Sequence, residues 1–125
     1  MFLGLRTVIY PASDLAASHA WFAGLLEVEP YFDEPFYVGF NVAGYELALD
    51  PTGDPAAGPL TYWGVADADT ALAQLLAAGA TPRGEVNNVG DGIRVATVLE
   101  GGTVLGIIEN PHFHLPEPTA SGPGR

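Results

Sequence analysis

The chain has 125 residues, the length of one domain, and folding a chain of that size removes roughly two-thirds of the unfolded surface from water. Fifteen acidic residues stand against four arginines and no lysine, a net charge of -11. That surface repels phosphate backbones and anionic lipid, which argues against nucleic acid and membrane as partners. Without cysteine there is neither a disulfide framework nor thiolate chemistry. No apolar run nears the ~20 residues that span a bilayer. Met1-Phe2-Leu3-Gly4 leads straight into a strand, with no basic segment ahead of an apolar one, so the expected location is cytoplasmic.

Residues 3–11 alternate apolar and small side chains and predict a strand that ends at Pro11. Ser13 and Asp14 are good helix N-caps, and Leu15, Phe22, Leu25 and Leu26 form one helical stripe with Trp21 beside it. Gly24 weakens the last turns and Pro30 closes the segment. A strand near Tyr31-Phe32 is only faintly marked. Phe36 to Asn41 and Tyr45 to Leu49 then read as a hairpin turning at Ala43-Gly44. Residues 51–59 hold three prolines and two glycines and predict a linker. Thr61 to Val65 predicts the next strand. Asp67 caps a helix carrying Leu72, Leu75 and Leu76, which Gly79 stops. Gly84 to Val89, Ile93 to Leu99 and Val104 to Ile108 predict three more strands, the last two joined at Gly101-Gly102. The proline- and glycine-rich segment 115–125 predicts a flexible tail.

The plan repeats. The run Thr7-Val8-Ile9-Tyr10 with its Asp14 turn and Leu-rich helix recurs at Leu60-Thr61-Tyr62-Trp63 with Asp67, Thr7 aligning with Leu60. The expectation is an α+β fold of one domain over 1–125: module one at 3–50, linker 51–59, module two at 60–112, each module β-α-β-β-β.

The entry-strand run Thr7 to Leu15, the helix start Val65-Ala66-Asp67-Ala68-Asp69-Thr70-Ala71-Leu72, the helix end Ala77-Ala78-Gly79-Ala80 and the closing Val104-Leu105-Gly106-Ile107-Ile108-Glu109-Asn110-Pro111 together resemble the vicinal oxygen chelate superfamily, which holds glyoxalase I, bleomycin resistance proteins and extradiol dioxygenases. The resemblance covers residues 3–112. It implies two βαβββ modules whose curved sheets face each other around a cleft, helices outside, and in many members a homodimer. In the enzymes it implies a divalent metal held by the first and last strands of each module, usually by His and Glu. Those positions fall here on Thr7, Glu46, Leu60 and Gly106. Only Glu46 carries a ligating side chain, and a divalent ion of this chemistry wants three or four N/O donors. The expectation is therefore no metal site and no cofactor.

Strand alternation adds Ile9, Ala48 and Tyr62 to the cleft, together with Gly64, Val104 and Ile108. On the seventh strand it assigns Arg94, Ala96 and Val98 to the cleft, and Ile93, Val95, Thr97 and Leu99 to the helices. The expected binding residues are Thr7, Ile9, Glu46, Ala48, Leu60, Tyr62, Arg94, Ala96 and Gly106. Arg94 would anchor a ligand carboxylate or phosphate, or neutralise Glu46 across the cleft. Glu46 would accept a hydrogen bond or serve as a catalytic base. Tyr10 and Trp63 read as core. Tyr31, Phe32, Phe36 and Tyr37 form an aromatic cluster near the cleft mouth, suited to stacking on a planar ligand or to packing. His19 reads as a helix-surface residue, and the His112-x-His114 pair as part of a terminal loop.

Three functions remain open on these residues. One is a glyoxalase/bleomycin-resistance-like protein that binds a small organic molecule in an apolar cleft without the metal, as a homodimer. Another is an enzyme of the lyase, isomerase or dioxygenase type, with an atypical metal set or acid/base catalysis by Glu46. The last is an interaction domain whose cleft is filled by its own side chains.

Overall fold

A computed structural model describes residues 1–114. The tail expected at 115–125 lies outside the described residues. Eight strands and two helices follow one another as β1 (Gly4–Pro11), α1 (Leu15–Leu26), β2 (Phe32–Glu34), β3 (Tyr37–Val42), β4 (Tyr45–Asp50), β5 (Leu60–Gly64), α2 (Ala68–Ala77), β6 (Thr81–Gly90), β7 (Ile93–Glu100) and β8 (Thr103–Glu109). One turn of 3₁₀ helix, Pro55–Ala57, sits in the linker.

The helices begin where the sequence offers an acceptor. Asp14 accepts the Ala17 backbone N–H at 3.1 Å, and Asp67 accepts that of Thr70 at 3.2 Å. Each fills one of the donors that a first turn leaves unpaired. α1 ends on Glu27 at φ 58°, a left-handed cap on a non-glycine residue.

The strands form a single sheet in the order β2-β3-β4-β1-β5-β8-β7-β6. The two halves repeat the same order outward from the centre, which is the α+β double-module plan that the repeat predicts. β1 pairs in parallel with β4 and β5 with β8. The modules join where β1 meets β5 antiparallel.

Side-chain alternation splits the sheet into two faces. On one face Val38, Phe40 and Leu49 pack with Leu15, Phe22 and Leu26 of α1. On the same face Ala96 and Ile107 pack with Ala71, Leu72 and Leu75 of α2. Phe40, Leu49, Ile107, Val38 and Val98 are its largest fully buried side chains. The opposite face carries the cleft.

The register departs from strict alternation at one place that matters. Between Leu5 and Thr7 the β1–β5 pairing shifts, because Leu5 faces Trp63 and Thr7 already faces Tyr62. Arg6 is the extra residue of this bulge. A bulge re-aims a side chain relative to its neighbours.

Candidate functional site

The cleft has a volume of about 740 Å³, within the range of small-molecule sites. Thr7 and Ile9 of β1, Glu46 of β4, Tyr62 of β5, Ile93 and Val95 of β7 and Ile108 of β8 face it. Tyr31, Phe32, Phe36 and Tyr37 close one side, and the stretch from Asn110 to His114 closes another. Among the described residues Glu46 is the only carboxylate on this wall, and Arg6 the only arginine.

Glu46 is held by three hydroxyls. Its Oε1 accepts from Thr7 Oγ1 at 3.1 Å and from Tyr37 Oη at 3.1 Å, and its Oε2 accepts from Tyr31 Oη. Parallel pairing puts Glu46 directly beside Thr7. Antiparallel pairing puts Asn41, not a bulkier apolar residue, on its other side. Gly39 supplies the room: a Cβ there would stand 2.6 Å from Glu46 Oε2 and 3.3 Å from the Tyr31 ring. Burial and the neighbouring Glu46 charge push both phenols well above the ordinary tyrosine range. They stay protonated and act as donors.

The sequence-derived residues separate into three groups. Thr7, Ile9, Glu46 and Tyr62 meet on the cleft wall. Ala48 and Gly106 share that face but are covered. Ala48 is fully buried, and the Tyr62 ring lies over Gly106, where a Cβ would stand 2.5 Å from Tyr62 Cδ1. Leu60, Arg94 and Ala96 lie elsewhere. Leu60 borders a separate, smaller hollow with Pro11, Asp50 and Arg83, because the β1–β5 register sets Thr7 opposite Tyr62 and not Leu60. Ala96 is buried against α2. Arg94 also points to the helix side, with Nη2 2.8 Å from Asp69 and Nη1 3.5 Å from Glu109 and 3.9 Å from Asp67. Glu109 Oε1 in turn accepts the Ala68 backbone N–H at 2.9 Å. The guanidinium thus fastens the start of α2 to the sheet, away from Glu46. The expected facing of β7 is off by one residue, and in a strand one residue exchanges the faces.

The aromatic cluster stands where expected, with Phe32 centred 6.1 Å from Phe36 and 5.9 Å from Tyr37. Tyr10 stacks on Phe22 of α1 at 5.9 Å, while Trp63 stacks on Phe2 at 5.2 Å; neither is fully buried. His112 and His114 are loop residues whose rings meet the backbone oxygens of Asp91 and His112.

Arg6 and Phe113 are among the wall residues that the sequence alone does not assign to the cleft. The guanidinium carbon of Arg6 lies 3.8 Å from the Phe113 ring centroid. The scarcity of cations was a usable signal for Arg6. The bulge that turns it inward was not visible.

No protein-family model matches the sequence, and no curated protein sequence matches it. Solved structures do match. A methylmalonyl-CoA epimerase in complex with methylmalonyl-CoA and NH4+ is 17% identical over 93% of this chain and 100% of its own, with a TM-score of 0.72. Methylmalonyl-CoA epimerase from Mycobacterium tuberculosis is 17% identical over 86% of this chain and 88% of its own, TM-score 0.68. The hypothetical protein BH1468 from Bacillus halodurans C-125 is 12% identical over 90% and 97%, TM-score 0.72. This chain has the vicinal oxygen chelate fold. At these identities the likeness establishes the fold alone.

Enzymes of the vicinal oxygen chelate fold bring four ligand positions together on β1, β4, β5 and β8. Here the register assembles Thr7, Glu46, Tyr62 and Gly106. The set does not fit a divalent ion. It has one carboxylate, already accepting from three hydroxyls, one threonine hydroxyl, one phenol whose proton is held by burial, and a glycine roofed by the ring of that phenol. No three His, Asp or Glu side chains gather as a metal cluster among the described residues.

Proposed function

We propose that this protein binds a small organic molecule in the cleft, with no divalent metal taking part. The observation that carries this reading is the cleft of about 740 Å³, walled by aromatic rings around one hydroxyl-held carboxylate. An apolar body stacks on Tyr31, Phe32, Phe36 and Tyr37. A donor on the ligand reaches Glu46 by displacing one of its hydroxyls. A thermal-shift panel of planar aromatic compounds tests it. The expected result is stabilisation by a subset, reduced in Glu46→Gln. Stabilisation by none, or a stoichiometric divalent ion retained through purification and lost in Glu46→Gln, would overturn the reading.

The methylmalonyl-CoA epimerase neighbours favour a second reading, metal-free proton transfer with Glu46 as base. It needs the substrate's acidic C–H within hydrogen-bond reach of Glu46. Deuterium exchange at C2 of methylmalonyl-CoA in D2O, followed by NMR, tests it. Exchange at the background rate with the wild-type protein would count against it.

We also propose a cytoplasmic homodimer. Trp21 and Leu25 of α1 are 62% and 61% exposed, and apolar side chains this open support a partner surface. A monomer mass by sedimentation would refute the dimer. No helix among the described residues is long and apolar enough to cross a membrane.

A further inference from the structure

We propose that Arg6 is the anchor for a carboxylate on the ligand, so that the cleft selects planar organic acids over their neutral counterparts. This rests on the reading that the cleft holds a small organic molecule, and it adds that molecule's charge and orientation.

The seat of Arg6 is built by the backbone. Gly4 and Gly64 face each other across β1 and β5, and the guanidinium lies over both. A Cβ on Gly64 would stand 2.5 Å from Arg6 Nε, and one on Gly4 3.2 Å from Arg6 Nη1. Phe113 supports the group from the side at 3.8 Å. The bulge between Leu5 and Thr7 turns Arg6 onto the cleft face, beside Thr7.

Its donors are almost all open. Among the described residues the one hydrogen bond from Arg6 is a long 3.5 Å contact to the Leu5 carbonyl, and no carboxylate lies within ion-pair distance. A guanidinium carries five N–H donors in a planar fork. In a chain of fifteen acidic residues, a half-buried arginine with no acidic partner among the described residues is unusual. The other described arginines are engaged: Arg94 by Asp67, Asp69 and Glu109, and Arg83 by Thr97 at 3.0 Å. Glu46, the one carboxylate on the same wall, is held by Thr7, Tyr31 and Tyr37 instead. Among the described residues the fork therefore faces the cavity with no carboxylate paired to it, and a ligand carboxylate matches it bidentately. Glu46 repels that carboxylate, so the acid end of the ligand lies toward Arg6 and Phe113, and its uncharged ring lies toward Tyr31 and Tyr37.

Calorimetric titration of the full chain with 2-naphthoate and 2-naphthamide, and with a quinoline carboxylate and its amide, tests the assignment. The wild-type protein is expected to bind each acid more tightly than its amide by roughly 10- to 100-fold, the scale of one charge-assisted pair. Arg6→Gln is expected to erase that preference, weakening the acids far more than the amides. Arg6→Lys keeps the charge without the fork and is expected to fall between them. It decides the matter if Arg6→Gln does not fold. Equal wild-type affinity for acid and amide, or a preference that survives both substitutions, overturns the anchor and leaves the cleft reading standing. Binding of neither acids nor amides removes the cleft reading, and the anchor with it.

Discussion

Glu46 shows how one carboxylate shapes its surroundings. A carboxylate oxygen accepts more than one hydrogen bond, and here two oxygens gather three hydroxyls from β1, β3 and the segment before β2. Removing it strands donors, and a buried donor without a partner costs more than a hydrogen bond normally contributes. Thr7, only 5% exposed, suffers most. Glu46→Ala is expected to lower stability by about 1–2 kcal/mol, seen as a fall of roughly 3–8 °C in Tm. Glu46→Gln, which keeps an acceptor oxygen, should lose less. The phenols add a pH dependence of definite sign. Burial first, then the Glu46 charge, raises the Tyr37 phenol above its ordinary value, so in alkali the unfolded chain gives up this proton before the folded one does. The stabilisation is complete below the ordinary phenol value of about 10 and is lost as pH rises beyond it. Urea midpoints measured between about pH 9 and about pH 11 should fall, and fall less steeply in Tyr37→Phe.

At the scale of strands and helices, the sequence carries the architecture well. The caps Asp14 and Asp67, the hairpin turn at Ala43-Gly44 and the linker prolines stand where local chemistry puts them, and the repeat sets the double-module order. The short β2, at Phe32–Glu34, is faint because three residues cannot show a period. Sequence also brings Thr7, Ile9, Glu46 and Tyr62 to one wall, since regular alternation holds there. It fails where alternation is interrupted or must be guessed. The β1 bulge admits Arg6. The β7 phase turns Arg94 and Ala96 to the helices and gives Ile93 and Val95 to the cleft. The β5 register exchanges Leu60 for Tyr62 opposite Thr7. Each of these depends on which residue pairs with which across strands, and a single strand does not record that. Arg94 then has a different expected behaviour from a ligand anchor. Arg94→Ala should loosen the start of α2, read as faster amide exchange at Ala68 and Thr70, and leave titration of the cleft with an aromatic acid unchanged. Gly106 is constrained more tightly, since a methyl there meets both the Tyr62 ring at 2.5 Å and the Thr61 carbonyl at 2.7 Å. The carbonyl cannot swing away as a side chain can. Gly106→Ala is expected to cost about 1–3 kcal/mol, the usual range for overpacking, measured by urea unfolding.

For the molecule as a whole, charge works against the ligand class that Arg6 selects. A net charge of -11 surrounds a cleft whose single arginine attracts anions only at short range. Long-range repulsion acts on an approaching carboxylate before contact and is screened by salt. The Debye length shrinks from about 30 Å at 0.01 M to about 8 Å at 0.15 M. The Arg6 contact itself is made inside a partly buried pocket, where screening is weaker. These two terms have opposite salt dependence, and the first dominates the approach. Stopped-flow association of 2-naphthoate should therefore speed up as sodium chloride rises from about 0.01 M to about 0.15 M, with the dissociation rate little changed. The amide should show no such trend. A carboxylate on-rate that falls with salt would mean that the local field at the cleft mouth is positive, set by more than one cation, and that the acidic surface does not reach the ligand's path.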